Sequence, residues 1–179
     1  MSDTQWPRYE VFKQDTPNKP HEAVGSVHAA DAEMALLNAR DVFGRRPKAV
    51  SMWVAPATAV FSLTAEEMAA NPAWHAPAGP AAAPQPFHLF AKTSQRRSMT
   101  FVSHVGSVTA VSAVSAVQQA IGAGLAGEAE VFVWWAIPDA AITRSDPDAA
   151  ASLFDPALDK TYRQQSHYGF VGPRRRKKT

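Results

Sequence analysis

The chain has 179 residues, of which 46% are hydrophobic and 19% charged, and it contains no cysteine. The lack of cysteine excludes disulfides, thiolate chemistry and cysteine-ligated zinc or iron–sulfur centres. Five positive charges stand together at residues 174–178, so the rest of the chain is net negative although the formal net charge is +2. We expect a solvated basic tail, and the lack of a basic stripe elsewhere disfavours nucleic-acid binding.

The N-terminal residues and the hydropathy pattern predict a cytoplasmic protein. Residues 1–5 lack the basic and apolar regions of a signal peptide. No apolar run approaches the roughly 20 residues that a membrane-spanning helix requires. The cysteine-free composition fits a reducing compartment.

The first part of the chain predicts the order strand, strand, helix, strand. Residues 9–13 are rich in strand formers, and residues 23–28 alternate apolar and polar side chains. Asp31 is a good N-cap for a helix whose apolar residues recur at helical spacing up to Phe43. Residues 50–55 then alternate as in a strand with one face in the core.

A nine-residue pattern occurs twice and indicates an internal duplication. Residues 24–32, Val-Gly-Ser-Val-His-Ala-Ala-Asp-Ala, return 81 residues later as Val-Gly-Ser-Val-Thr-Ala-Val-Ser-Ala. Tyr-Glu-Val-Phe at 9–12 likewise matches Phe-His-Leu-Phe at 87–90, and Trp-Val-Ala-Pro at 53–56 matches Trp-Ala-Ile-Pro at 135–138. In each copy the glycine stands inside a strand, which is typical of a bulge or a close backbone approach. Two copies are too few for a solenoid, so we predict two packed lobes.

The second copy repeats the order of the first, with strands over 87–92, 99–109 and 130–137 and a helix over about 112–121. The predicted fold class is therefore α+β. Two tandem strand-strand-helix-strand lobes, each an antiparallel sheet with one helix on one face, form a pseudo-dimer. One lobe of about 65 residues would be marginally stable by itself, so we expect the lobes to support each other or a partner.

Composition divides the chain into segments. They are a first lobe at 1–68, a Pro/Ala-rich linker at 69–86, a second lobe at 87–148, an extension at 149–172 and the basic tail at 173–179. Trp74 is unusual in such a linker, and we expect its ring to pack on a neighbouring surface.

No motif for catalysis or metal binding stands out, so we predict no catalytic, cofactor-binding or metal-binding residue on this chain. The six histidines lack the spacing of a metal site, and we interpret them as ordinary polar residues. The glycine-rich run at 122–127 lacks the lysine and the preceding strand of a phosphate-binding loop. Asp155 and Asp159 form a carboxylate pair without a predicted cleft, so we interpret them as structural.

The remaining conspicuous side chains are aromatic, and many of them lie near the two ends of the chain. Aromatic side chains concentrate binding energy at protein interfaces. We predict a partner interface formed by Trp6, Tyr9, Phe154, Asp155, Tyr162, Arg163 and Tyr168.

Several ordered blocks carry a family resemblance. They are Trp-Pro-Arg-Tyr-Glu-Val-Phe at 6–12, Val-Gly-Ser-Val-His-Ala-Ala-Asp at 24–31, Ser-Met-Trp-Val at 51–54, Phe-Asp-Pro-Ala at 154–157 and Tyr-Arg at 162–163. These blocks resemble the small B component of the multicomponent phenylacetyl-CoA epoxidase, the PaaB family. The resemblance covers about residues 6–56 and 153–168.

The resemblance implies a non-catalytic, structural subunit of an oxygenase that epoxidises phenylacetyl-CoA or a related aromatic acyl-CoA in phenylacetate catabolism. In this family the catalytic A subunit holds the di-iron centre, the C subunit supports it, and a flavin/iron–sulfur reductase delivers electrons from NADPH. The PaaB component bridges the A–C units, so the cofactors belong to partner chains. Usual members have a single lobe and about half this length, which predicts that the duplicated chain works as its own pseudo-dimer.

Two other functions stay open on the residues alone. A stand-alone small-molecule-binding protein or enzyme would use the cleft between the two lobes, where pockets often form, and would require convergent polar groups there. Nucleic-acid association through the tail at 173–178 would give binding with a steep salt dependence.

Overall fold

A computed structural model describes residues 5–44, 49–76, 83–95 and 102–157. The strands are β1 (Arg8–Gln14), β2 (Glu22–His28), β3 (Ser51–Pro56), β4 (Phe61–Thr64), β5 (Gln85–Lys92), β6 (Ser103–Ala110), β7 (Val133–Pro138) and β8 (Thr143–Arg144). The helices are α1 (Ala32–Phe43), α2 (Ala65–Ala70), α3 (Ala113–Gly122) and α4 (Ala150–Phe154), with 3-10 turns at Ala57–Ala59, Asp139–Ala141 and Asp155–Ala157. Each of the four described helices is too short or too polar to cross a membrane.

The two copies of the repeat fold alike. In the first half, β2, β1 and β3 form an antiparallel sheet covered by α1, and in the second half β6, β5 and β7 form the same unit with α3. Asp31 caps α1 by accepting a hydrogen bond from the Met34 N–H at 2.7 Å. Ser112 caps α3 in a reciprocal capping box with Ser115. The predicted α+β class and the tandem duplication are confirmed.

Gly25 and Gly106 mark the same bulge in the two halves. Their φ angles are +141° and +151°, in the region that favours glycine. Gly25 pairs with Val11 where the register between β1 and β2 shifts, and Gly106 lies beside the equivalent shift between β5 and β6. A Cβ on Gly25 would lie 2.9 Å from the Phe43 ring. The structure therefore confirms both the predicted bulge and the predicted close approach.

The sheets of the two halves join where β2 and β6 begin. The Ala23 N–H donates to the Val102 carbonyl at 2.9 Å, and the His104 N–H donates to the His21 carbonyl at 2.8 Å. This junction completes one sheet with the order β4-β7-β5-β6-β2-β1-β3-β8.

The sheet curves so that its two halves lie face to face. Neighbouring strands are about 4.8 Å apart, so β1 and β5, which have two strands between them, could not touch in a flat sheet. Phe12 of β1 and Phe90 of β5 nevertheless stack with ring centroids 4.3 Å apart, and Trp135 packs edge-on against Phe12 at 6.2 Å. These rings belong to a central core between the halves, whose other buried members are Ala23, Ala55, Val102, Val133, Ile137 and Ile142.

Each half contributes a short arm to the other half. The first arm, β4 with α2, follows the first half in sequence, but β4 pairs with β7 and Met68 packs against the core of the second half. The second arm, β8 with α4, follows the second half, but β8 pairs with β3 and Phe154 is fully buried in the core of the first half. The chain is therefore a fused pseudo-dimer with reciprocally exchanged arms.

The structure modifies the predicted layout in three places. The strand predicted over 99–109 is described from Ser103, and the arms were not predicted. The predicted boundaries at 68 and 148 do not separate packing units, because each arm crosses to the other half. Trp74 packs against the core of the second half, as expected. The basic tail and residues 77–82 of the predicted linker lie outside the described residues.

We predict that Gly25→Ala lowers the free energy of unfolding by about 1–3 kcal/mol, because the positive φ is strained for alanine and the new Cβ would push against the Phe43 ring. Urea denaturation followed by circular dichroism measures the change. Gly122→Ala is the matched control, since no heavy atom lies within 4 Å of a Cβ placed there. Equal effects of the two substitutions would contradict this account of Gly25.

We also predict that the two halves stay together after the linker is cut. A protease site inserted within residues 77–82 and cleaved should give fragments that co-elute at the mass of one uncut chain, because the arms interlock and the central core is shared. Size-exclusion chromatography with light scattering measures the mass, and the same sample in urea shows that cleavage was complete. Separation in native buffer, or a stable dimer of the uncut chain, would contradict a self-contained pair.

Candidate functional site

One end of the central core is polar, and side chains from both halves meet there. We call these side chains the histidine cluster. Its members are His21, Ser51 and Trp53 from the first half, His88 and His104 from the second half, and Asp139 and Arg144 from the segment that follows β7.

Trp53 is the centre of the histidine cluster. His21 stacks on the indole with ring centroids 3.8 Å apart, while His88 and His104 approach it edge-on, each at 5.3 Å. The Arg144 guanidinium carbon lies 5.0 Å from the indole centroid, a distance typical of a cation–π interaction. Because β3 pairs with β8, Arg144 stands directly opposite Trp53 in the sheet. The second arm therefore places the Arg144 guanidinium beside the Trp53 indole.

Hydrogen bonds connect the second-half members of the cluster in a row. His104 Nε2 lies 3.0 Å from His88 Nδ1, and His88 Nε2 lies 2.9 Å from Asp139 Oδ1. Arg144 donates to the same carboxylate oxygen and approaches His88 Nε2 at 3.0 Å. The hydrogen bonds with His88 and Arg144 lower the pKa of Asp139, so this carboxylate stays ionised and balances the guanidinium.

Burial keeps two of the histidines neutral near pH 7. His21 is 7% exposed, and its Nε2 lies 3.0 Å from Ser51 Oγ. Burial is the largest cause that lowers the pKa of His21 to about 4, followed by the charges of the other two histidines and Arg144. Burial and then the charge of His88 lower the pKa of His104 to about 4 as well. Both imidazoles therefore pack as uncharged rings.

The equivalent positions at the other end of the central core carry different groups. There the repeat places Val102, Glu10 and Ala23 where the cluster has His21, His88 and His104, and Ala57 and Ser62 where it has Asp139 and Arg144. Trp135 takes the place of Trp53, and its Nε1 has no hydrogen-bond partner among the described residues. The two copies have diverged, so the pseudo-dimer has one polar end and one mainly apolar end.

The predicted interface residues fall into three groups. Trp6 is 58% exposed, and Asp155 is exposed as well. Tyr9 and Phe154 are instead buried in the core of the first half, so their rings could reach a partner only if that core opened. The third group consists of predicted interface residues outside the described part of the chain, namely Tyr162, Arg163 and Tyr168. The interface itself stays a prediction.

The histidine cluster does not show in the spacing of residues along the chain, and the sequence-based interpretation missed it. The three histidines come from different strands or strand ends, which only the folded sheet brings together. The one signal in the sequence is that both histidines lie close to the repeated Val-Gly-Ser motif. His21 stands three residues before Val24, and His104 stands directly before Val105. Among the described residues, no group of three or more His, Asp or Glu side chains is arranged to hold a metal ion.

The arrangement favours packing over reaction. Ser51 and His21 form a hydroxyl–imidazole pair, but an imidazole with a pKa of about 4 is a weak general base at neutral pH. The space between the halves, where a small-molecule-binding protein would have its cleft, contains the stacked Phe12 and Phe90 rings and the other side chains of the central core. The cluster thus joins the two halves at one end of that core.

The fold and the cluster define an arm-swapped α+β pseudo-dimer in which one chain supplies both units. A family model described as phenylacetic acid degradation B, PaaB, matches residues 5–79 and 85–175. The chain belongs to the PaaB family, which confirms the resemblance found in its sequence. It is 46% identical over 67 residues to the B component of the 1,2-phenylacetyl-CoA epoxidase of Escherichia coli (strain K12), a stretch that covers 37% of this chain and 70% of that protein. No solved structure matches the chain.

We predict that Trp53→Ala destabilises the fold by about 3–5 kcal/mol, because it removes the ring on which His21 and Arg144 pack. Trp6→Ala is the control, since the same truncation of a 58% exposed ring should change stability by no more than about 0.5 kcal/mol. Urea unfolding of both variants measures the difference. A loss for Trp53→Ala as small as that for Trp6→Ala would show that the cluster contributes little to stability.

Proposed function

We propose that this chain is a non-catalytic bridging subunit of a multicomponent di-iron oxygenase that epoxidises phenylacetyl-CoA or a related aromatic acyl-CoA in phenylacetate degradation. The observation that carries the proposal is the double family match. The stretch at 5–79 contains the first half with its own arm, and the stretch at 85–175 contains the second half with its own arm. One chain therefore carries two stretches that each match the PaaB family.

The arms explain why such units would act in pairs. A unit by itself would have an arm without a sheet to extend, and its β3 or β7 would lack the strand that pairs with it here. Its sheet would also expose the face that forms the central core in this chain. Two units together satisfy both requirements, and in this chain the linker keeps them together permanently.

In the proposed complex the reactive groups lie on partner chains. A catalytic A subunit holds the di-iron centre, a C subunit supports it, and a flavin/iron–sulfur reductase supplies electrons. This chain bridges the A–C units. The side chains of its histidine cluster support that division of labour, because they are engaged with Trp53 and with one another across the two halves.

The stoichiometry of the purified complex tests the bridging role. The full chain is co-expressed with the A and C subunits of the same organism, and native mass spectrometry counts the subunits. We expect one copy of this chain for every two A–C units, because its second half takes the place of a second PaaB chain. One copy for each single A–C unit, or no association, would contradict the proposal.

The location of iron and of turnover tests the non-catalytic role. Metal analysis should find iron with the A subunit, and epoxidation of phenylacetyl-CoA should require A, C and the reductase. Iron bound stoichiometrically by this chain, or oxidation of phenylacetyl-CoA by this chain with the reductase alone, would contradict the assignment.

Trp6 offers a test of the predicted interface at a residue that the fold leaves accessible. Truncating a buried aromatic anchor at an interface costs about 2 kcal/mol, or roughly 30-fold in affinity, so Trp6→Ala should weaken binding to the A–C unit by that order. Val42→Ala, at a 62% exposed position on α1, is the control for an apolar truncation elsewhere. Equal affinities of the two variants would remove Trp6 from the interface.

A further inference from the structure

His21 and His104 share a backbone hydrogen bond at the junction of β2 and β6. The His104 N–H donates to the His21 carbonyl at 2.8 Å, and on the other side of the junction the Ala23 N–H donates to the Val102 carbonyl at 2.9 Å. Within the described residues, β2 and β6 share one registered residue pair, so the junction is short. One of its sides carries two titratable rings, and the other carries two apolar side chains.

The charged side chains beside these two histidines are Arg144 and Asp139, which form an ion pair. Arg144 on β8 acts on both His21 and His104 and disfavours a positive charge on either ring. The Asp139 carboxylate is already hydrogen-bonded to His88 and Arg144. A proton on either ring would therefore lie near the Arg144 guanidinium, whose carboxylate partner is already engaged.

Among the described residues of the first half, no carboxylate acts on either of the two rings. Ser51 and Trp53 on β3, which face His21, are both neutral. Glu22 follows His21 in the chain, but side chains alternate along a strand, so its carboxylate is directed to the opposite face of β2. The cluster thus lacks a second carboxylate that could stabilise an added proton.

We propose that the histidine cluster is an acid-sensitive latch: protonation of His21 and His104 in mild acid opens the histidine side of the β2–β6 junction, while the Ala23–Val102 side, the central core and the arms hold the halves together. A charged imidazole gains hydration when it leaves the buried stack on Trp53, and its departure separates the two backbones beside it. The latch is a property of the chain itself and does not depend on the bridging role.

The direction of titration agrees with this geometry. The pKa of each ring lies near 4, below the ordinary histidine value of 6.5, so folding favours the neutral forms. The stability that the neutral rings contribute is complete above about pH 6.5 and is lost as the pH falls towards 4. Opening is therefore expected within that interval.

Amide hydrogen exchange on the full chain between pH 8 and pH 4.5 tests the latch, with rates corrected for the intrinsic pH dependence of exchange. The His104 amide should lose protection by at least about tenfold below pH 6, because each pH unit can favour the protonated open form by up to a factor of ten. The Ala23 amide is the internal control and should stay protected. No pH dependence at His104, or equal losses at both amides, would overturn the proposal.

The double variant His21→Val/His104→Ala copies the residues at the equivalent positions of the other end, Val102 and Ala23, and should abolish the pH dependence. His21→Gln is a milder variant that can still hydrogen-bond to Ser51 but cannot titrate, and it should retain only the part of the dependence that belongs to His104. An unchanged pH profile in the double variant would overturn the proposal. An unchanged profile in His21→Gln would exclude His21 from the latch.

Discussion

The reciprocal exchange of the two arms is the constraint on which the rest of the structure depends. Only residues 57–60 separate β3 from β4, and only residues 139–142 separate β7 from β8. Four residues span at most about 14 Å, so each arm can reach the far edge of the sheet only if the two ends of the sheet come close together. The resulting curvature presses β1 against β5 and creates the central core with its stack of Phe12 on Phe90. Arm exchange, curvature and core are therefore one geometrical requirement.

Local patterns were sufficient to predict the units inside each half. The alternation of apolar residues, the Asp31 cap and the repeated glycine are all signals that extend over a few residues, and each corresponds to an observed element or bulge. Such short-range signals could not predict the arms. β4 has four residues and β8 has two, too few for an alternating pattern, and their partners lie in the other copy of the repeat. Only the assembled sheet shows where they belong.

The candidate site was hidden for a related reason. A histidine in a strand gives no sign of what faces it across a curved sheet, and His21, His88 and His104 meet only because the halves face each other. The aromatic interface prediction shows the converse difficulty. Tyr9 and Phe154 are of residue types that are common at interfaces, but large aromatic rings also stabilise the core of a small domain. In the structure both rings lie in the core of the first half.

The exchange of arms also determines how this protein can be made. On the ribosome, Trp53 emerges about 90 residues before Arg144, its partner across β3 and β8, which corresponds to roughly 5–20 s of synthesis. During that time the nascent first copy exposes an open sheet edge and an apolar face, a state prone to aggregation and protected by chaperones in cells. Two separate units would have to find each other by diffusion, at a rate that depends on their concentration. In the tandem chain the two copies pair within one molecule, as soon as the second copy has been synthesised.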